Sequence, residues 1–137
     1  MLKRTIKYTD FNGTEREEDF FFNLSKSELM ELEMKTKGGL EAKINRITAD
    51  EDTEQIIEMF KDIILMSYGQ KSEDGKRFIK TKEMQAEFVN TAAYDELFMS
   101  LVQNPEEVQR FIEGIIPKDA AEAAKAQQKP NPIPPGK

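Results

Sequence analysis

The chain has no cysteine and no histidine. The first absence excludes disulfides, thiolate zinc sites and thiol nucleophiles. The second removes the commonest general base and the commonest metal ligand. No motif beyond turns and helix caps is left to carry catalysis, so an enzyme is not expected, nor is a cofactor. Positive charge is outnumbered. Twenty Lys and Arg against 26 Asp and Glu give a formal net charge of -6. Nucleic-acid binders need a basic patch or excess, and docking on anionic lipid needs the same, so neither partner is expected. No window approaches the ~20 apolar residues of a membrane span. The N-terminus, MLKRTIKYTD, lacks the apolar run of a secretory signal, which predicts a soluble protein acting where it is made.

Proline is nearly missing until the end. Five of the six prolines fall from Pro117 onward, where the sequence reads PKDAAEAAKAQQKPNPIPPGK with Ile133 its one large apolar residue. Such a segment buries too little apolar surface to offset the entropy of ordering it. The expected organisation is one globular domain over 1–117 and a flexible Ala/Gln/Pro-rich tail over 118–137, with no internal repeat. The tail's four Lys against two Asp/Glu leave the body at a formal -8. The body is long enough for one core.

The first 24 residues predict a β-hairpin. Ile6 and Tyr8 alternate with polar residues, as do Phe20, Phe22 and Leu24. A two-residue Asn12-Gly13 turn would put these two sets on opposite faces, because paired residue numbers would have an odd sum. A three-residue loop, Phe11 to Gly13, makes the sum even and matches the faces. Asp10 then opens a type I turn and Gly13 takes a left-handed bulge. Phe21 points the other way, either exposed or under a second layer. A hairpin alone also leaves edges that add strands from a partner.

Helices follow over 25–117. Ser25 and Glu28 fit a capping box, with Leu24 and Leu29 as the staple around it. Leu29, Leu32, Met30 and Met34 give that helix one broad apolar face, and Gly38-Gly39 ends it. Leu40, Ile44 and Ile47 recur at helical spacing, with a strand as the alternative. Thr48 to Thr53 is an acidic approach to the most apolar helix, about Glu51 to Tyr68. Ile56, Met59, Phe60, Ile63 and Ile64 make its stripe, which predicts a central helix with Phe60 in the core. Gly69 is its expected left-handed cap, and Gln70 to Arg77 a polar loop with an Asp74-Gly75 turn. Thr81 caps a helix carrying Met84 and Phe88. Tyr94, Leu97, Phe98 and Leu101 mark the next. Asn104-Pro105-Glu106-Glu107 starts the last, with Phe111 and Ile115 on its face. The predicted fold is α+β and mainly α: an N-terminal β-hairpin, five or six packed helices and a disordered C-terminal tail.

The acidic clusters Glu15 to Asp19 and Asp50 to Glu54 lack the spacing and central Gly of a cation loop, and read as solvated charge. The Met residues 30, 34, 59, 66, 84 and 99 lie mostly on apolar faces. Core packing explains most of them; an adaptable binding surface is the other use of methionine. Phe20, Phe21 and Phe22 are the candidate partner-binding residues, since a hairpin apolar on both faces needs one of them covered, by the helices or by another chain.

Four stretches, DFNGTEREEDFFFNLSKSEL (10–29), SYGQKSEDGKRFIK (67–80), TAAYDELFMSL (91–101) and FIEGIIP (111–117), resemble the tail assembly chaperones of long-tailed phages or prophages of Gram-positive bacteria. The resemblance covers nearly the whole body. It implies a small acidic helical protein without catalytic residues, working in the cytoplasm of the bacterial host. It implies the tape-measure protein as partner, kept soluble while the tail tube polymerises, with the tail tube protein a further candidate and a homo-oligomer left open. Such chaperones leave before the virion is complete. In many such phages a minus-one frameshift extends the chaperone, at a slippery run that encodes Gly-Lys. Gly136-Lys137 fits that pattern, so a frameshifted longer form is an expected partner. The reading from another class is a structural tail completion or adaptor protein retained in the virion.

Overall fold

The computed structural model describes residues 1–51 and 53–117; the expected tail at 118–137 lies outside them. Strands β1 (Leu2–Thr9) and β2 (Glu15–Phe22) form the predicted hairpin. They pair antiparallel with Leu2 opposite Phe22 and Ile6 opposite Glu18, so paired numbers sum to 24 as the apolar alternation demands. The turn is held by Asp10, whose carboxylate accepts from the Asn12 and Thr14 amides at 2.9 Å each and from Arg16 Nε at 2.6 Å. Gly13 takes the left-handed conformation at φ +83°.

Helix α1 (Lys26–Lys35) starts at the predicted capping box. Ser25 Oγ accepts from the Glu28 amide at 3.1 Å, and the Ser25 amide donates to Glu28 Oε1 at 2.9 Å. Helix α2 (Leu40–Asp50) follows the Gly38-Gly39 turn, and α3 (Thr53–Ser67) follows α2. The strand alternative for Leu40 to Ile47 is therefore excluded. So is a helix beginning at Glu51: that residue has φ +53° and breaks the chain between α2 and α3. The acidic run is thus divided, with Asp50 ending one helix and Glu54 in the first turn of the next.

The region after α3 also differs from expectation. Tyr68–Lys71 is a strand, β3, and Phe78–Ile79 another, β4. The Asp74-Gly75 turn joins them, with the Ser72 amide donating to Arg77 O at 2.9 Å. β3 pairs with β2 through Phe21–Gly69 and Phe22–Tyr68, which completes a four-stranded antiparallel sheet in the order β1-β2-β3-β4. The strand that covers the hairpin's edge therefore comes from the same chain. Gly69 is not a left-handed cap. It lies in β3, where an added Cβ would stand 2.6 Å from the Phe78 ring and 2.7 Å from Ile79 O.

Helices α4 (Lys82–Val89), α5 (Ala92–Gln103) and α6 (Pro105–Ile115) complete the domain. Thr81 and Thr91 cap α4 and α5 through their hydroxyls. Asn104 makes no side-chain cap; its carbonyl accepts from the Glu107 and Val108 amides instead. The helices pack on the inner sheet face, with α5 lying along β1. The core gathers Ile6 and Phe22 from the sheet, Ile64 and Tyr68 from the α3–β3 junction, and Phe88, Leu97, Leu101, Phe111 and Ile115 from the last three helices. Aromatic rings dominate it. Tyr68 stacks on Phe88 at 4.1 Å between centroids, and Phe22 meets Phe111 edge-on at 5.1 Å. Only the last turns of α3 reach this core. Phe60 is partly exposed and outside it, contrary to the expectation of a central helix.

Candidate functional site

Helix α1 is held by its ends more than by its face. None of its residues is buried, and Leu29 alone of its side chains packs against the core. Its first turn is fixed by Lys80, whose side chain is 13% exposed. Lys80 Nζ donates to both Glu28 oxygens at 2.8 Å, to Asn23 O at 2.7 Å and to Met66 O at 3.1 Å. One ammonium thus joins the end of β2, the start of α1 and the last turn of α3. Burial pushes the Glu28 carboxyl up; hydrogen bonds from Lys80 and the Ser25 amide outweigh this and hold it below the usual carboxylate range. At the other end, Glu33 Oε1 accepts from the Leu40 amide at 2.9 Å, which ties α1 to the first turn of α2.

This arrangement leaves a groove of about 260 Å³ between α1, α2 and α3. Leu32 comes from α1 and Thr36 from its C-terminal cap, and Leu40, Lys43 and Ile47 come from α2. Gln55, Glu58, Met59, Asp62, Ile63 and Met66 come from α3. The spacing of Met59, Ile63 and Met66 places them on one stripe of α3, adjoining the buried Ile64 and Ser67, and Ile63 and Met66 also pack on the edge of the core. Ile47, at 4% exposure, is buried beside the groove and apart from the main core. Burial raises the Tyr94 phenol and the nearby Asp62 carboxylate adds to it, so Asp62 stands on the border between the groove and α5.

The three phenylalanines predicted for partner binding are separated by the sheet. Phe22 is fully buried, and Phe20 packs against Tyr8, Tyr68 and Phe88. Phe21 lies on the outer face, partly exposed, with Lys71 Nζ 5.9 Å from its ring centre. The groove itself was visible in sequence only as apolar helix faces assigned to the core. Exposed apolar side chains were hidden in the same way. Met30 and Met34 are 66% and 79% exposed on the side of α1 away from Leu32, and Phe11 at the hairpin tip is 85% exposed. The signal for Phe11 was available: an aromatic side chain inside an otherwise polar turn has nothing to bury against.

Among the described residues, no group of three or more acidic side chains is placed to hold a metal ion. No helix among them is long and apolar enough to cross a membrane. What the groove offers is methionine, leucine and isoleucine surface rimmed by charge. The profile of the phage tail assembly chaperones matches residues 1–134. The chain belongs to that family, and its role lies in tail assembly. No curated protein and no solved structure matches it.

Proposed function

We propose that the protein binds the tape-measure protein of a long-tailed phage of Gram-positive bacteria and keeps it soluble in the host cytoplasm until the tail tube encloses it. The observation that carries this is the groove between α1, α2 and α3. Its Leu32, Leu40 and Met59 surface lies outside the main core, and Ile63 and Met66, which pack on the core's edge, continue that surface into the groove. A client side chain buried there contributes roughly 1.5–3 kcal/mol, enough for a few anchors to hold a segment reversibly. The acidic body then keeps a coated client dispersed by self-repulsion. Release follows when the growing tube offers the same client surface a better partner, so the finished particle holds no chaperone. The tail tube protein and a frameshifted longer form of this chain are further partners under this reading.

The test is co-expression with the tape-measure protein of the same phage. The soluble fraction of the client should rise, and the Leu32→Gln/Met59→Gln double variant should lose most of that gain while remaining folded. Mass spectrometry of purified virions should find none of the chain. Stoichiometric amounts there would favour the structural completion or adaptor role instead.

A further inference from the structure

The groove has walls of opposite charge. Glu58 and Asp62 stand one turn apart on α3 and line it beside Met59, Ile63 and Met66. Glu54 lies one turn earlier at the same spacing, and all three carboxylates are exposed. Lys43, also exposed, lines the facing wall on α2. The floor between them is apolar.

From this we infer, resting on the client reading above, the kind of segment the groove takes. It is an amphipathic helix with Lys or Arg along one flank of its apolar stripe, seated with that flank over Glu58 and Asp62. The helical form follows from what the walls lack. They are built mostly from three helices, whose mid-helix backbone groups bond within themselves, so apart from the α1–α2 corner at Thr36 and Leu40 they present side chains. An extended segment would press its own N–H and C=O groups against apolar surface, at about 1–3 kcal/mol for each one left unpaired. A helix satisfies those groups internally and shows the groove only side chains. The flank follows from charge. A basic row over α3 meets two or three carboxylates, and an acidic or neutral row on the other side meets Lys43. Turning the segment end for end sets its basic row against Lys43 and takes it away from the carboxylates, and an acidic second row would then meet Glu58 and Asp62 as well. Exposed pairs of this kind add little to affinity singly, but they select among apolar helices and fix direction.

The inference is tested with labelled synthetic peptides of about 18 residues, long enough to form helix on binding. One carries a leucine stripe with a lysine and arginine flank. The second has the same stripe with a glutamate flank. The third scrambles the first so that no stripe remains. Binding to the full chain is followed by fluorescence anisotropy. The basic-flanked peptide should bind roughly tenfold more tightly than the acidic one at low salt, with the gap narrowing as salt screens the rim. Glu58→Lys/Asp62→Lys should reverse the preference. Glu83→Lys/Glu87→Lys on α4, the same change in net charge away from the groove, should leave it intact.

Equal binding of the two striped peptides, or the same loss of preference in both charge variants, would overturn the inference while leaving a charge-blind apolar groove standing. A striped peptide that binds no better than the scrambled one would overturn it too. If Leu32→Gln/Met59→Gln also failed to change client solubility, the groove reading itself would fall.

Discussion

Phe22 and Phe60 look alike in sequence, each an aromatic on an apolar stripe, and the structure gives them opposite positions. Phe22 is fully buried and meets Tyr68, Phe88 and Phe111. Its removal leaves a cavity walled by other elements, so Phe22→Ala should cost about 3–5 kcal/mol in chemical denaturation. Phe60 is partly exposed and outside the core, so Phe60→Ala should cost only about 1 kcal/mol. Equal losses would mean that α3 is central along its whole length. The sequence could not separate the two, because periodicity says which residues share a face and not what covers that face. Gly69 repeats the lesson. A glycine after a long apolar helix reads as a left-handed cap, yet the constraint here is contact with Phe78 and Ile79, set by strand pairing further along the chain. Asp10 and Gly13 were legible because their partners are local.

Among the elements, the same division holds between local and distant causes. The capping box of α1 and the hairpin register were readable, since each depends on residues close in sequence or on a strict two-residue period. The break between α2 and α3 was not, because Glu51 is a non-glycine residue held at positive φ and carries no turn signature. The β3–β4 pair was missed because β4 spans only two residues. Lys80 had no sequence signal at all, although it fixes α1 against β2 and α3. Its pairing with Glu28 makes a pH prediction. The Glu28 carboxyl is held lower in the folded chain than its ordinary value of 4.5. A carboxyl of this kind stabilises the fold above that value and loses the contribution as pH falls through its folded value. Glu28→Gln should therefore be less stable than the parent near neutral pH, and the difference should shrink in acid. Denaturation curves at a series of pH values measure it; a difference that stays constant would show that the ion pair contributes nothing.

At the scale of the molecule, the core is unevenly shared. The sheet, Tyr68 included, and α5 and α6 supply most of it, and α3 and α4 join through Ile64 and Phe88. Helix α1 buries no residue, and the buried Ile47 of α2 packs away from the main core. The groove therefore lies between a well-packed body and a lightly attached helical pair. Hairpin followed by helices was legible in the sequence; this inequality was not, because every helix carried an apolar stripe and only packing shows which stripe is spare. Local stability follows buried contact, so the molecule should open in parts before it unfolds as a whole. In native-state hydrogen exchange, amides of α1 and α2 should exchange through openings of low free energy, while those of β1, β2 and α5 should be protected up to the global stability. Adding the basic-flanked peptide should slow exchange first in α1, α2 and the facing turns of α3, because a helix seated in the groove joins the lightly held wall to the body. Uniform protection in the free protein would mean that α1 and α2 are part of one cooperative unit and that the groove is rigid. Slowing confined to the outer sheet face would move the binding surface from the groove to the side that carries Phe21.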